Sequence, residues 1–117
     1  MNKKQPGSLS PQDLKAWLKQ ESKKPLIIDV REDQEVSIAP FPQPVMHLPL
    51  SKADEWVTDL PERLRSVGSV VVICHAGIRS WNFAAWLIEQ PWEIDVWNLD
   101  GGIDAWSIYV DSAVPRY

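Results

Sequence analysis

Short apolar runs alternate with stretches of helical periodicity along most of this chain. The runs at residues 25–30 (PLIIDV), 69–73 (SVVVI) and 94–99 (IDVWNL) are rich in Val, Ile and Leu, and polar residues or turns bound each of them. Runs of this length and composition are typical of strands buried on both faces, as in a parallel sheet. Strands that alternate with helices predict an α/β fold with a mainly parallel central sheet flanked by helices on both faces.

Helix signals lie between these runs. Ser10 can cap a helix, Pro11 suits its first position, and Asp13 favours its positive end. Four prolines within residues 40–49 forbid a regular helix there, and the charged residues 31–35 predict a polar loop. The predicted helices cover residues 10–20, 51–60, 79–89 and 103–108, and Pro61 is expected to break the second of them and to restart a short helical turn through Leu64.

Length and charge narrow the class of protein. The chain has 117 residues, which fits one domain, predicted at residues 9–117 after a flexible leader at residues 1–8. Lys and Arg total 12 and Asp and Glu total 16, so the net charge is −4. A nucleic-acid partner is not expected, because binding phosphates requires a basic face.

The chain carries no sign of a membrane or metal partner. Its longest apolar runs, at residues 70–74 and 83–88, are too short to span a bilayer, and the N-terminal residues contain no apolar signal segment. A cytoplasmic location is therefore expected. One cysteine excludes an internal disulfide, and one cysteine with two histidines excludes a Cys/His zinc site.

The candidate catalytic residues lie where the second apolar run ends. The only cysteine, Cys74, follows this run and therefore lies at the carboxyl end of a predicted strand. Open α/β sheets have their binding and active sites at these strand ends. Gly77 permits a tight turn, and a helix begins near Arg79, so the amides of residues 76–80 are expected to point at the sulfur. Such an anion-binding loop stabilises a thiolate, and Arg79 adds positive charge.

This loop resembles the active loop of single-domain rhodanese-like sulfurtransferases, in which Cys is followed by Gly, Arg and Ser. Three further stretches are similar to motifs of that family, so the resemblance covers roughly residues 9–107. The four stretches are Cys74-x-x-Gly77-x-Arg79-Ser80, Asp29-Val30-Arg31-Glu32 followed by Glu35, His47-Leu48-Pro49-Leu50-Ser51, and residues 98–106 (NLDGGIDAW). Residues 38–45 depart from the pattern, since they lack the histidine and glycines that the family often carries there.

The resemblance implies sulfur transfer through a persulfide. The Cys74 thiolate would attack the outer sulfur of a small anionic donor such as thiosulfate, and cyanide or a protein thiol could then accept that sulfur. No metal or organic cofactor is implied. Asp29 and Arg31 are expected beside the loop, where hydrogen bonds or an ion pair, with Glu35 as a further partner, would order it. The residues expected to bind the anion are His75, Ala76, Gly77, Ile78, Arg79 and Ser80.

Three other interpretations remain open from the residues. A phosphatase or arsenate reductase also uses a cysteine in an anion loop, but its Cys-x5-Arg spacing is wider than the Cys-x4-Arg spacing from Cys74 to Arg79. A non-catalytic binding or regulatory module could keep the same fold. Cys74 could also be an inert core residue, which is the usual role of a lone cysteine at the end of a buried strand. His75 is interpreted as a residue at the rim of the site rather than as a base.

Overall fold

The computed structural model describes residues 5–117, and its centre is a five-stranded sheet in the order β1-β5-β4-β2-β3. Every pair of neighbouring strands is parallel. The predicted fold class is therefore confirmed. The strands are β1 (Gly7–Leu9), β2 (Leu26–Asp29), β3 (Met46–His47), β4 (Ser69–Ile73) and β5 (Asp95–Leu99).

Helices connect the strands and cover both faces of the sheet. A single 3-10 turn, Leu50–Lys52, leads into the third of them. The break before Pro61 comes earlier than predicted, since that helix already ends at Trp56. The short helical turn expected from Pro61 through Leu64 is present as the next helix, with Pro61 in its first turn, where the missing N–H costs nothing. The helices are α1 (Pro11–Leu18), α2 (Asp33–Ile38), α3 (Ala53–Trp56), α4 (Leu60–Arg63), α5 (Ile78–Ile88) and α6 (Gly102–Tyr109).

The apolar run of β4 is unbroken because both of its faces are buried. Val70 and Val72 pack into a core with residues of α3, α4 and α5, whereas Val71 and Ile73 pack into a second core with residues of α1 and α6. All four side chains are 0% exposed. Cys74 follows at the end of this strand and belongs to the first core, so the central strand carries it to the edge where the strands end.

Two local predictions are wrong. Residues 1–4 of the expected flexible leader lie outside the described residues, but Gly7 and Ser8 belong to β1, which pairs with β5. A Cβ on Gly7 would lie 2.4 Å from the Trp97 ring, so only glycine at this position lets β1 lie this close to β5. Residues 7–9 contain no apolar run, so the sequence pattern does not indicate a strand there.

Residues 31–35 are not only a polar loop, because α2 begins at Asp33. The Glu32 backbone N–H donates to Glu35 Oε1 at 3.3 Å, which satisfies a backbone donor at the start of the helix. Residues 40–49 contain no helix, as expected, and β3 is the only regular element within them. Within residues 5–117, none of the helices is long and apolar enough to cross a bilayer.

Candidate active site

Cys74 lies directly beyond β4, and three hydrogen-bond donors converge on its sulfur. The backbone N–H of Gly77 lies 3.1 Å from Sγ, the Ser80 hydroxyl lies 3.2 Å away, and the Ser80 backbone N–H lies 3.4 Å away. Cys74 is only 1% exposed and forms no disulfide. Burial alone would fit an inert core cysteine, but an inert thiol has no need of three donors. This arrangement stabilises a sulfur that carries negative charge.

Gly77 bends the cysteine loop (residues 74–80) around the sulfur. Its φ of +97° lies in the left-handed region, and it is the residue that precedes α5. A Cβ at this position would lie 3.1 Å from Gly101 N and 3.3 Å from Leu99 O, so the loop also lies close to the turn after β5. The turn directs the first amides of an 11-residue helix, with their positive dipole end, toward Sγ.

The carbonyl groups of the loop point away from the sulfur. Cys74 O accepts a hydrogen bond from Ile103 N at 2.9 Å, and His75 O accepts one from Asp104 N at 3.0 Å. Both donors belong to the first turn of α6, whose amides need acceptors. Gly77 O accepts from Asn98 Nδ2 at 3.2 Å. With these carbonyls held outside, the inner side of the loop presents N–H groups.

The structure places the Arg79 guanidinium on Glu35 of α2. Arg79 Nη1 lies 2.7 Å from Glu35 Oε1, and Nη2 lies 2.8 Å from Oε2, a bidentate ion pair. The hydrogen bonds from Arg79 lower the pKa of Glu35 to about 2, and the same bonds raise the pKa of Arg79. Arg79 therefore links the cysteine loop to α2, and the Glu35 carboxylate compensates its positive charge.

Asp29 and Arg31 form a buried pair at the end of β2. Both residues are 0% exposed, and Arg31 Nη2 lies 2.8 Å from Asp29 Oδ2. Arg31 also donates to the carbonyl oxygens of Glu35 at 3.4 Å and Ala39 at 2.9 Å. Asp29 is paired with Ile73 of β4, and the Arg31 side chain binds carbonyls within α2 and at its C-cap. The pair thus helps to hold α2, which carries Glu35.

Tyr117 joins these groups from the other end of the chain. Its hydroxyl donates to Glu35 Oε2 at 2.9 Å and accepts from Arg31 Nη1 at 3.1 Å. Its ring centroid lies 4.4 Å from that of the His75 ring. Sequence reasoning missed this residue because no local pattern links positions separated by 82 residues along the chain. His75 is partly exposed, in keeping with a rim position, and Ala76 and Ile78 of the same loop are exposed.

Replacing Tyr117 with phenylalanine is expected to lower the free energy of unfolding by about 1 kcal/mol, because the hydroxyl links Glu35 to Arg31. The ring and its contact with His75 would be kept. Chemical denaturation of the two proteins measures the difference. Tyr109→Phe is the matched control, since Tyr109 is 63% exposed. An equal loss in both variants would show that the Tyr117 hydroxyl has no special role.

The ion pair of Glu35 also predicts how stability depends on pH. A carboxyl whose pKa falls from 4.5 to about 2 on folding stabilises the protein above pH 4.5, and this contribution is lost as the pH falls from 4.5 toward 2. After solvent screening we expect a loss of about 1–2 kcal/mol over that interval. Denaturation curves at several pH values should show this loss, and Glu35→Gln should remove it.

Glu62→Gln is the control for that series, since Glu62 is a 77% exposed carboxylate paired with Arg65 on the surface. This substitution should leave the pH profile unchanged. A wild-type pH profile that survives Glu35→Gln intact would contradict the assignment to Glu35.

Comparison with known proteins finds relatives of this chain. A family model with the description "Rhodanese-like domain" matches residues 10–109. The chain is 37% identical over 91 residues to the Rhodanese-like/PpiC domain-containing protein 12, chloroplastic, of Arabidopsis thaliana. This alignment covers 78% of this chain and 30% of that protein. The chain is 30% identical over 114 residues to the Adenylyltransferase and sulfurtransferase UBA4 of Lodderomyces elongisporus, covering 93% of this chain and 25% of that protein. The chain thus spans less than a third of the length of each.

A solved structure shows the same architecture over most of the chain. The Rhodanese-like Domain Protein from Staphylococcus aureus superimposes with a TM-score of 0.66 at 27% identity, over 95% of this chain and 98% of that one.

Proposed function

Because this chain belongs to the rhodanese-like family, we propose that it transfers sulfane sulfur from a donor to a thiophilic acceptor through a persulfide on Cys74. The observation that carries the proposal is the convergence of Gly77 N–H, Ser80 N–H and the Ser80 hydroxyl on Sγ, at 3.1 to 3.4 Å. The relative from Lodderomyces elongisporus, whose name includes sulfurtransferase, supports the same class of reaction.

The first half-reaction is attack of the Cys74 thiolate on the outer sulfur of the donor. With thiosulfate, a bond forms between Sγ and the outer sulfur, the bond between the two donor sulfurs breaks, and sulfite leaves with the electron pair. The protein is left as the persulfide anion, Cys–S–S⁻. The second half-reaction hands the terminal sulfur to cyanide or a thiol and regenerates the thiolate. Neither half-reaction requires a metal or an organic cofactor.

The neighbouring groups have separate tasks in this scheme. The N–H donors of the cysteine loop stabilise the anionic sulfur before and after transfer, because they are already oriented and little water competes with them. The carbonyls held by α6 and Asn98 keep the loop in this orientation. Arg79 and Glu35 fix the beginning of α5 against α2. Arg79 is thus a positioning residue in this proposal.

Mass spectrometry of the protein after incubation with thiosulfate tests the proposal. We expect one added sulfur atom on the peptide that contains Cys74, and its removal by cyanide with formation of thiocyanate. Hydrolysis of a phosphate ester by the same preparation, without any sulfur adduct, would favour the phosphatase interpretation instead. Absence of both activities would favour a non-catalytic module.

A further inference from the structure

A pocket between α1 and α6 is separate from the cysteine loop. Its volume is about 280 Å³, and none of residues 74–80 lines it. Helix α1 contributes Lys15 and Leu18 to its wall, and α6 contributes Trp106. The volume of this α1–α6 pocket lies near the lower end of the range for small-molecule sites, so it suits a compact ligand.

The charged groups of the α1–α6 pocket favour an anion. Lys15 and Lys19 line it, and neither ammonium group forms an ion pair with any residue between 5 and 117. The lining also includes Asp111, whose Oδ1 accepts a hydrogen bond from Ala113 N at 3.1 Å. Two lysines and one aspartate leave one positive charge, although the whole chain carries −4. The pocket therefore suits an anion with a single charge better than a dianion.

Trp106 brings a hydrogen-bond donor to this pocket. The residue is only 4% exposed, and its indole N–H has no acceptor among the described residues. Phe41 packs against the indole ring, with the ring centroids 4.8 Å apart. A buried N–H without an acceptor costs free energy, and an acceptor on a bound molecule recovers that cost. The Trp106 N–H thus points to a ligand that carries a hydrogen-bond acceptor.

Most of the other lining residues are apolar. Leu18, Pro42 and Val110 line the pocket, and Gln43 is the neutral polar residue among them. Pockets of this kind, which are largely apolar with a few polar groups, bind molecules whose body is apolar and whose polar group fixes the orientation.

We infer that the α1–α6 pocket is a binding site for a small organic monocarboxylate with a compact apolar body. The carboxylate pairs with Lys15 and Lys19 and accepts a hydrogen bond from the Trp106 N–H, so both of its oxygens have donors. The apolar body packs against Leu18 and Val110. The inference does not depend on sulfur transfer, because the pocket shares no residue with the cysteine loop.

Titration with cyclohexanecarboxylate, followed by ¹H–¹⁵N NMR of the indole groups, tests this site. The probe has one charge, a compact apolar ring and no aromatic ring current that would move neighbouring resonances. We expect a saturable displacement of the Trp106 indole N–H resonance, with a Kd on the order of 1 mM. The Trp56 indole N–H already donates to Pro49 O at 2.9 Å, and its resonance should stay in place. Absence of a saturable Trp106 displacement up to about 20 mM would overturn the inference.

Cyclohexylmethanol tests whether the pocket recognises the charge. This alcohol keeps the apolar ring and removes the carboxylate, so we expect it to bind at least about fivefold more weakly. Equal Kd values for the acid anion and the alcohol would contradict a carboxylate site.

The combined variant Lys15→Gln and Lys19→Gln tests the two lysines. Both side chains are exposed, so the fold should be kept. We expect the Kd for cyclohexanecarboxylate to rise about threefold to tenfold and the Kd for cyclohexylmethanol to stay unchanged. Arg63→Gln combined with Arg65→Gln is the matched control, because it removes two exposed positive charges outside the pocket. An unchanged Kd in the lysine variant, or an equal rise in the arginine control, would refute the assignment.

Discussion

Replacing Cys74 with serine is expected to lower the rate of sulfur transfer by at least about a thousandfold. A serine hydroxyl does not ionise near neutral pH and cannot form the persulfide that the proposed mechanism requires. No other residue can substitute, because the chain contains one cysteine. The measurement is thiocyanate formation from a sulfane donor and cyanide, together with the mass of the protein after donor treatment.

The serine variant should keep its fold, which makes the loss of activity interpretable. The hydroxyl is smaller than the thiol and can still accept hydrogen bonds from Gly77 N–H and Ser80 N–H. Circular dichroism and the thermal unfolding midpoint serve as controls and should stay close to wild type. Turnover at the wild-type rate in a folded Cys74→Ser protein would rule out the persulfide mechanism.

The parts of the site that lie close together in the sequence were predictable. The apolar run before Cys74 marks a strand that must be buried on both faces, and parallel strands bring their carboxyl ends to one edge of the sheet. Gly77 followed by a helical stretch predicts a turn and a helix N-terminus. Those local signals were enough to place Cys74 before a turn and a helix. Of the amides of residues 76–80 that were expected to point at the sulfur, hydrogen bonds are found from Gly77 N–H and Ser80 N–H.

The parts that depend on distant residues were not predictable. Arg79 was expected to bind a substrate anion, but 44 residues separate it from Glu35, and the sequence does not show which of 16 acidic residues it meets. Tyr117 is a similar case, because its partners belong to the segment after β2, to α2 and to the cysteine loop. Ion pairs between separate elements are decided by tertiary packing, whereas strand burial and turns are encoded locally.

Replacing Gly102 with alanine is expected to have the largest effect on both stability and activity among substitutions outside Cys74. Gly102 begins α6 with a φ of +62°, and a Cβ there would lie 2.5 Å from Cys74 O and 2.5 Å from His75 O. Both acceptors are backbone atoms, so the cysteine loop itself must move. Left-handed strain and the steric clash together should lower the free energy of unfolding by about 3 kcal/mol or more.

The same displacement should impair catalysis. Ile103 N and Asp104 N hold the carbonyls of Cys74 and His75, so a shift of α6 against the loop turns these peptide groups and misaligns the donors on Sγ. A misplacement of about 1 Å costs roughly a hundredfold in rate. We therefore expect Gly102→Ala to lose about that factor in the rate constant for loading Cys74 with sulfur, measured by single turnover under conditions where the protein is still folded.

Gly68→Ala is the matched control for Gly102→Ala. A Cβ on Gly68 would meet no heavy atom within 4 Å beyond its chain neighbours, and the φ of this residue is not positive. The same substitution there should change the free energy of unfolding by no more than about 1 kcal/mol and leave the rate of loading unchanged. Gly102→Ala could instead behave like Gly68→Ala in both measurements. That result would show that the close contact of α6 with the carbonyls of Cys74 and His75 does not hold the donors around Cys74.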